Sequence, residues 1–471
     1  MYPAAIAQTL LRHRFARIKV RRNFFDIVRA MSTTPLPIDL LIDAKWVIPV
    51  EPYGVVLEDH SVAVRDGDIV GVVPTAEAES AYAPAERVTL PHHALIPGLV
   101  NAHTHAAMSL LRGYADDKPL MVWLNEHIWP AEAKHVSPQF VYDGTLLACA
   151  EMLRAGVTCA NEMYFFPESA AQAFVDAGMR AAIGLTVIEF PTAYAADADD
   201  YLAKGLATRH RFAEHAGLSF CLAPHAPYTV NDDTFTRIAT IAEELDVPIH
   251  LHLHETEDEI RQSLEKYGVR PFDRMLALGL VSPRLIAVHA VHLNEREIGL
   301  LAQHGASVAH CPASNLKLAS GFAPVAAMLK AGVNVAIGTD GAASNNRLDV
   351  LAEMRLAAML AKAVAHDAAA LPAHLALRCA TLNGARALGL HHRIGSLEAG
   401  KAADIAAIRL EAPEVLPCYD PASQIVYSAG REHVSHVWVA GRLLVRDGAL
   451  VELEAGALAK AIAVWNNKLL N

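Results

Sequence analysis

Between about residues 95 and 340 the chain alternates short apolar or β-branched runs with longer stretches of helical period, the pattern of βα units feeding a parallel sheet. Eight such runs occur, at 95–101, 157–163, 181–187, 219–224, 248–254, 285–288, 306–311 and 333–339. Eight strands with intervening helices predict an α/β fold of TIM type, a (β/α)8 barrel whose chemistry gathers at the carboxyl ends of the strands. Outside this region the rhythm changes to short strands broken by turn signals, such as Arg65-Asp66-Gly67-Asp68 and Ala440-Gly441-Arg442. These stretches, 37–93 and 394–455, flank the barrel (94–393) and are expected to pair into one small β-sandwich domain built from both segments. Residues 456–471 are expected to form a C-terminal helix, and the alanine-rich stretch 356–370 reads as packed helix surface.

Composition narrows the class of protein. The 471 residues are 53% hydrophobic, enough for a large barrel core and a lesser domain. A formal net charge of −11 argues against a nucleic-acid or anionic-membrane surface, which needs clustered cations, and favours a small-molecule partner. No apolar run approaches the roughly twenty residues that span a bilayer. Cys149, Cys159, Cys221, Cys311, Cys379 and Cys418 show neither zinc-ribbon spacing nor a secreted disulfide framework, so a reducing cytoplasm is the expected compartment.

The first 36 residues stand apart as a basic leader, with Arg12, Arg14, Arg17, Lys19, Arg21, Arg22 and Arg29 against the single acid Asp26. An organellar transit peptide is one reading. The other, favoured because the segment is rich in Phe and Ile but poor in Ser, is translation from Met31, whose run leads into the first strand pattern.

Four clusters carry the chemistry. His103-Thr104-His105 follows the first barrel strand, and side chains two apart on a strand share a face, so both imidazoles can reach one metal ion. His250-Leu251-His252-Leu253-His254-Glu255 lies on the fifth, His289-Ala290-Val291-His292 at the end of the sixth, and Gly338-Thr339-Asp340-Gly341 at the eighth. By parity His250, His252 and His254 share one face; the spacing to Glu255 selects His252, placing His250 deeper and leaving His254 beside the site or at the rim. His292 lies past its strand and reads as structural, and His92 and His93 precede the barrel.

In this order the clusters resemble the amidohydrolase superfamily, over about residues 38–455. Within it, the runs Cys311–Leu318 and Gly338–Asn346, with Ala223-Pro224-His225-Ala226-Pro227-Tyr228 and Trp129-Pro130-Ala131-Glu132, are similar to the subgroup that deaminates 5-methylthioadenosine and S-adenosylhomocysteine. The resemblance implies one divalent metal ion, held by His103, His105, His252 and Asp340 with a position left open for water; such ligands suit zinc. No lysine lies in 219–227 to bridge a second metal, which favours a mononuclear site. It further implies that Asp340 takes a proton from the water, that Glu255 shuttles it to the adenine ring, and that His289 stabilises the reacting centre by hydrogen bonding.

For substrate, the resemblance makes Glu132 a partner of the ribose hydroxyls and His225 a donor to the nucleoside, with Glu255 and Asp340 also touching it. The other reading of Glu132 is a solvated acid at a helix start. Met121, Trp123 and Trp129 either cover an apolar thioether group or belong to the core. Gly184–Lys204 carries no arginine to receive an amino-acid carboxylate, so methylthioadenosine is expected to be preferred over adenosine and S-adenosylhomocysteine. Competing readings are a hydrolase acting on a free base or chloro-triazine, and a metal-binding barrel without catalysis. A homo-oligomer is compatible with this reading, though no motif specifies one.

Overall fold

The computed structural model describes residues 34–470, and the two readings of the leader fall outside them. Eight consecutive strands form one parallel sheet in sequence order: β5 (Leu99–Thr104), β6 (Val157–Tyr164), β7 (Arg180–Val187), β8 (Leu218–Pro224), β9 (Ile249–Leu253), β10 (Leu285–His289), β11 (Ser307–His310) and β12 (Asn334–Ile337). Helices separate them, so both faces are covered; β6, β9, β10 and β11 are buried at every position. The inward layer is small or β-branched, with Val100, Ala102, Ala182, Ile286, Val288, Ala309 and Ala336 in one cluster.

The barrel closes where β12 returns to β5. The Asp340 amide donates to the His103 carbonyl at 3.0 Å, while Asn101 gives its side-chain N–H to Thr339 Oγ1 (2.8 Å) and accepts the Thr339 amide (3.0 Å). Asp340 is thereby set against the paired histidines, although 235 positions separate it from His105 in sequence.

The flanking segments build a second eight-stranded sheet from β1 (Leu36–Val47), β2 (Leu57–Arg65), β3 (Asp68–Pro74), β4 (Tyr82–Pro97), β13 (Ile405–Arg409), β14 (Val434–Val439), β15 (Arg442–Arg446) and β16 (Ala449–Leu450). The two ends of the chain meet where β4 pairs antiparallel with β13, and Ile42, Val64, Leu95, Ile405 and Trp438 share one apolar cluster. Both turn signals form hairpin turns with two successive left-handed residues, Asp66-Gly67 and Ala440-Gly441. One run divides differently from its pattern: 95–101 straddles both sheets. β4 ends at Pro97 and β5 starts at Leu99, and the hinge is Gly98, where a Cβ would come within 2.1 Å of Thr158 Oγ1. The C-terminal helix Ala455–Leu470 packs back on the barrel, burying Trp465 edge-on against Phe140 with its indole N–H on Asp143.

Candidate active site at the carboxyl end of the barrel

The two histidines of β5 are fixed by what their Nδ1 atoms touch. His105 Nδ1 donates to the main-chain carbonyl of Met163 on β6, and His252 Nδ1 donates to the carbonyl of His225 at 2.7 Å. A carbonyl oxygen only accepts, so both rings carry their proton on Nδ1 and present Nε2 with a free lone pair. His103 Nδ1 lies 2.9 Å from His250 Nε2, and its own Nε2 is buried without a hydrogen-bond partner. His250 thus stands deeper, supporting the ring above it.

Asp340 completes the group. Its Oδ2 accepts the hydroxyls of Ser314 (2.6 Å) and Ser344 (2.8 Å), and Oδ1 faces His103 Nε2 at 3.3 Å and His105 Nε2 at 3.4 Å. Burial opposes its ionisation, which the hydroxyls of Ser314 and Ser344 and the Gly341 amide, all donating to it, support. Burial also pushes His103 down to about 3 and His252 well below the ordinary histidine value, so these rings stay neutral.

These donors fit a zinc ion. Ligand atoms about 2.0–2.1 Å from zinc at tetrahedral angles stand about 3.3–3.4 Å apart, which is the spacing of Asp340 Oδ1 from the two imidazoles. Two sets of donor atoms gather within 4.8 Å of one another, His103 with His105 and Asp340, and His103 with His252 and His289. They share His103, whose Nε2 is otherwise orphaned in the core. Neutral imidazole and carboxylate donors, each oriented by a further hydrogen bond, are what such an ion requires.

His289 and Glu255 face each other beside this group, Nε2 to Oε2 at 3.9 Å. The Asn315 amide fixes His289, with Oδ1 2.8 Å from Nδ1. Glu255 is 7% exposed, and burial raises its carboxyl above the ordinary glutamate value. His254, His289 and Asp340 all adopt left-handed backbone conformations (φ +57°, +70° and +62°), uncommon for such residues and costing of the order of 1–3 kcal/mol each. His254 turns its ring out of the site, accepting the Phe272 amide at Nε2, and His292 bonds the Ser320 carbonyl.

The cluster forms the floor of a cavity of about 470 Å³. Its apolar walls include Trp123, Leu124, Ile128, Trp129, Ile188 and Phe190, with Trp129 edge-on to Phe190, so both tryptophans face the cavity while Met121 does not line it. Glu132 projects into it from the helix Trp129–His135, accepting the Tyr164 hydroxyl at 2.6 Å. Burial pushes its carboxyl up to about 7, the Tyr164 bond acting against that rise. His225 stands at the end of β8 with Nδ1 3.1 Å from Thr229 Oγ1, and burial holds it neutral, down to about 3.

Seven of the eight sequence-predicted site residues therefore line this one cavity, and the eighth, His103, is fully buried beside them. Sequence reasoning missed Tyr164, Ser314, Asn315 and Ser344. Ser314, Asn315 and Ser344 lie inside the motif runs, but nothing in their spacing assigns them partners.

Known proteins resemble the chain over most of its length. Residues 94–444 match the model of the Amidohydrolase family. A curated relative from Teredinibacter turnerae, a 5-methylthioadenosine/S-adenosylhomocysteine deaminase, is 47% identical over 93% of this chain and 99% of its own length. The crystal structure of an adenosine deaminase from Xanthomonas campestris with bound zinc superposes with a TM-score of 0.92 at 53% identity, covering 93% of this chain and 100% of that one. Atrazine chlorohydrolase from Arthrobacter aurescens, also complexed with zinc, reaches 0.83 at 25% identity, over 90% and 99% of the two chains. The chain belongs to the amidohydrolase family.

Proposed function

We propose that the protein is a zinc-dependent aminohydrolase that replaces the 6-amino group of an adenine nucleoside by oxygen, releasing ammonia, with 5-methylthioadenosine as its preferred substrate. The observation that carries this reading is the placement of Glu255, a buried carboxyl with a raised proton affinity, beside two donor sets that share His103, one with His105 and Asp340 and one with His252 and His289, on the floor of a nucleoside-sized cavity. The names and identities of the relatives point the same way.

His103, His105, His252 and Asp340 would hold the ion. When bound, zinc supplies Lewis acidity that makes a water molecule nucleophilic near neutral pH. The chain's own groups handle the protons. Asp340, whose Oδ2 accepts two serine hydroxyls and whose Oδ1 accepts the Gly341 amide, would take the proton that leaves the attacking water. Glu255 gives its proton to a ring nitrogen of adenine, making C6 electrophilic, and regains one from the C6 hydroxyl as the C6–N bond breaks, while the proton taken by Asp340 leaves with the amine. His289, with its Nδ1 proton donated to Asn315, presents Nε2 as an acceptor that orients the water. Water adds at C6, the C6–N bond breaks, and the products are the hypoxanthine nucleoside and ammonia.

Glu132 and His225 favour a nucleoside over a free base or triazine: the Glu132 oxygen not engaged by Tyr164 can accept from adjacent ribose hydroxyls. Among the described residues lining the cavity none is lysine or arginine, so the carboxylate of S-adenosylhomocysteine finds no cation there, whereas a methylthio group finds apolar walls. Incubation with 5-methylthioadenosine in ¹⁸O-water tests the reaction. One ¹⁸O in the purine product with one ammonia released supports it; intact substrate with fully loaded protein contradicts it.

A further inference from the structure

The carboxyl end of β9 carries a strained residue between a metal ligand and the proposed proton carrier. The strand stops at Leu253, His254 enters the left-handed region, and Glu255 then turns into the cavity. Such a turn persists in a residue other than glycine only where its surroundings over-determine it. Here they do so from two sides. The His254 ring is held by the Phe272 amide at 3.1 Å. The main chain is held by Glu259: Oε1 accepts the His254 amide at 3.0 Å and Oε2 accepts the Glu255 amide at 2.9 Å.

Glu259 is unlike an ordinary acid in the first turn of a helix. The helix Glu257–Tyr267 begins with Thr256 as its cap, whose hydroxyl accepts the Glu259 amide at 3.2 Å. Its neighbour Glu257 is exposed and Asp258 is half-buried against Arg261 and Gln262, whereas Glu259 is 6% exposed and its carboxylate is directed back at the strand end. Each oxygen meets one main-chain N–H that would otherwise be buried unsatisfied.

We propose that Glu259 is a positioning residue, whose carboxylate clamps the amides of His254 and Glu255 and so sets the direction in which the Glu255 carboxyl enters the cavity. The inference rests on the reading of Glu255 as the proton carrier. Glu259 touches no metal donor, so its loss leaves the ion in place and displaces only the shuttle. A misplacement of about 1 Å at a reacting group costs up to about 100-fold in rate.

The test is a double-mutant cycle on the zinc-loaded full chain with 5-methylthioadenosine, using Glu255→Gln, Glu259→Ala and the pair together. Glu259→Ala is expected to lower kcat about 30- to 100-fold with KM changed by less than about threefold and zinc content unaltered. In the Glu255→Gln background the same change should cost less than about threefold more, because a clamp acting only through Glu255 has nothing left to position. Losses that multiply in the double variant, a raised KM at unchanged kcat, or normal kcat in Glu259→Ala each overturn the inference. Should the alanine variant fail to fold, Glu259→Gln, which keeps one acceptor oxygen, completes the same cycle and should show a smaller loss of kcat. The two layers separate cleanly: near-normal turnover in Glu255→Gln removes the proton-carrier reading and this inference with it, while a crippled Glu255→Gln beside an unimpaired Glu259→Ala removes the clamp alone.

Discussion

The Tyr164 hydroxyl donates to Glu132 Oε1 at 2.6 Å, joining the end of β6 to the helix Trp129–His135 across the wall of the cavity. The bond commits one carboxylate oxygen and leaves the other for substrate. It also sets a pH dependence, because burial pushes the Glu132 carboxyl up to about 7 while the Tyr164 bond pulls it down. Only the ionised carboxylate accepts from two hydroxyls, so kcat/KM for the nucleoside should fall as pH drops through about 7. Removing the donor in Tyr164→Phe leaves burial unopposed, and the acidic limb should move to higher pH. In Glu132→Gln the limb should vanish and KM should rise. Profiles of kcat/KM against pH for the three proteins check this; a limb that stays in Glu132→Gln contradicts the assignment.

A second prediction concerns the layer beneath the metal ligands. His103 Nδ1 lies 2.9 Å from His250 Nε2, and binding an ion through Nε2 requires Nδ1 to be the donor of that bond. Replacing His250 by Phe keeps a ring of similar size but removes the acceptor. Zinc affinity, measured by competition with a chelator, should fall about 10- to 100-fold, as for other residues that orient metal-bound histidines. Unchanged affinity would show that His250 is only core filling.

The division between what the chain's pattern reveals and what it hides follows from the range of the forces involved. His103, His105, His252, His289 and Asp340 were legible because each sits at a strand end marked by its own local apolar run, and the barrel brings all strand ends to one face. Glu255 was legible from its spacing to His252. His250 could be placed deeper by strand parity, but its bond to His103 joins residues 147 positions apart and depends on barrel closure. Tyr164 with Glu132 and the serines with Asp340 are likewise pairings of separate loops, for which no local period exists. The run at 95–101 misled because apolar residues continue through Gly98, whose role is steric and set by Thr158 on another strand. The flanking strands were legible as elements, but the parallel pairing of β1 with β4 was not, since the hairpin signals around it favour antiparallel neighbours.

Stability should carry its own pH signature. Burial pushes Glu162 and Glu353 up to about 8, although Glu162 accepts the Ala106 amide and Glu353 accepts the Ala313 amide and the Asn345 side chain. Their folded-state proton affinity thus exceeds the unfolded value, near about 4.3. Such groups contribute stability that is complete below the unfolded pKa and is lost as pH rises toward the folded one. The melting temperature contributed by these sites should therefore decline between about pH 5 and 8 and level off above. Calorimetric scans of the protein beside Glu162→Gln and Glu353→Gln isolate these two sites from the buried histidines, whose pH dependence has the opposite sign, and a melting-temperature difference that shifts in favour of the unsubstituted protein from pH 5 to 8 would contradict it.

The most direct measurement of the central claim is the loss of adenine absorbance catalysed by zinc-loaded protein, with kcat/KM compared for 5-methylthioadenosine, adenosine, S-adenosylhomocysteine and guanine. The apolar walls and the absence of a lysine or arginine among the described lining residues predict rapid conversion of 5-methylthioadenosine, slower turnover of adenosine and S-adenosylhomocysteine, and none of guanine. A higher kcat/KM for S-adenosylhomocysteine than for 5-methylthioadenosine would contradict the substrate assignment, and no change with any adenine nucleoside would contradict the deaminase reading itself.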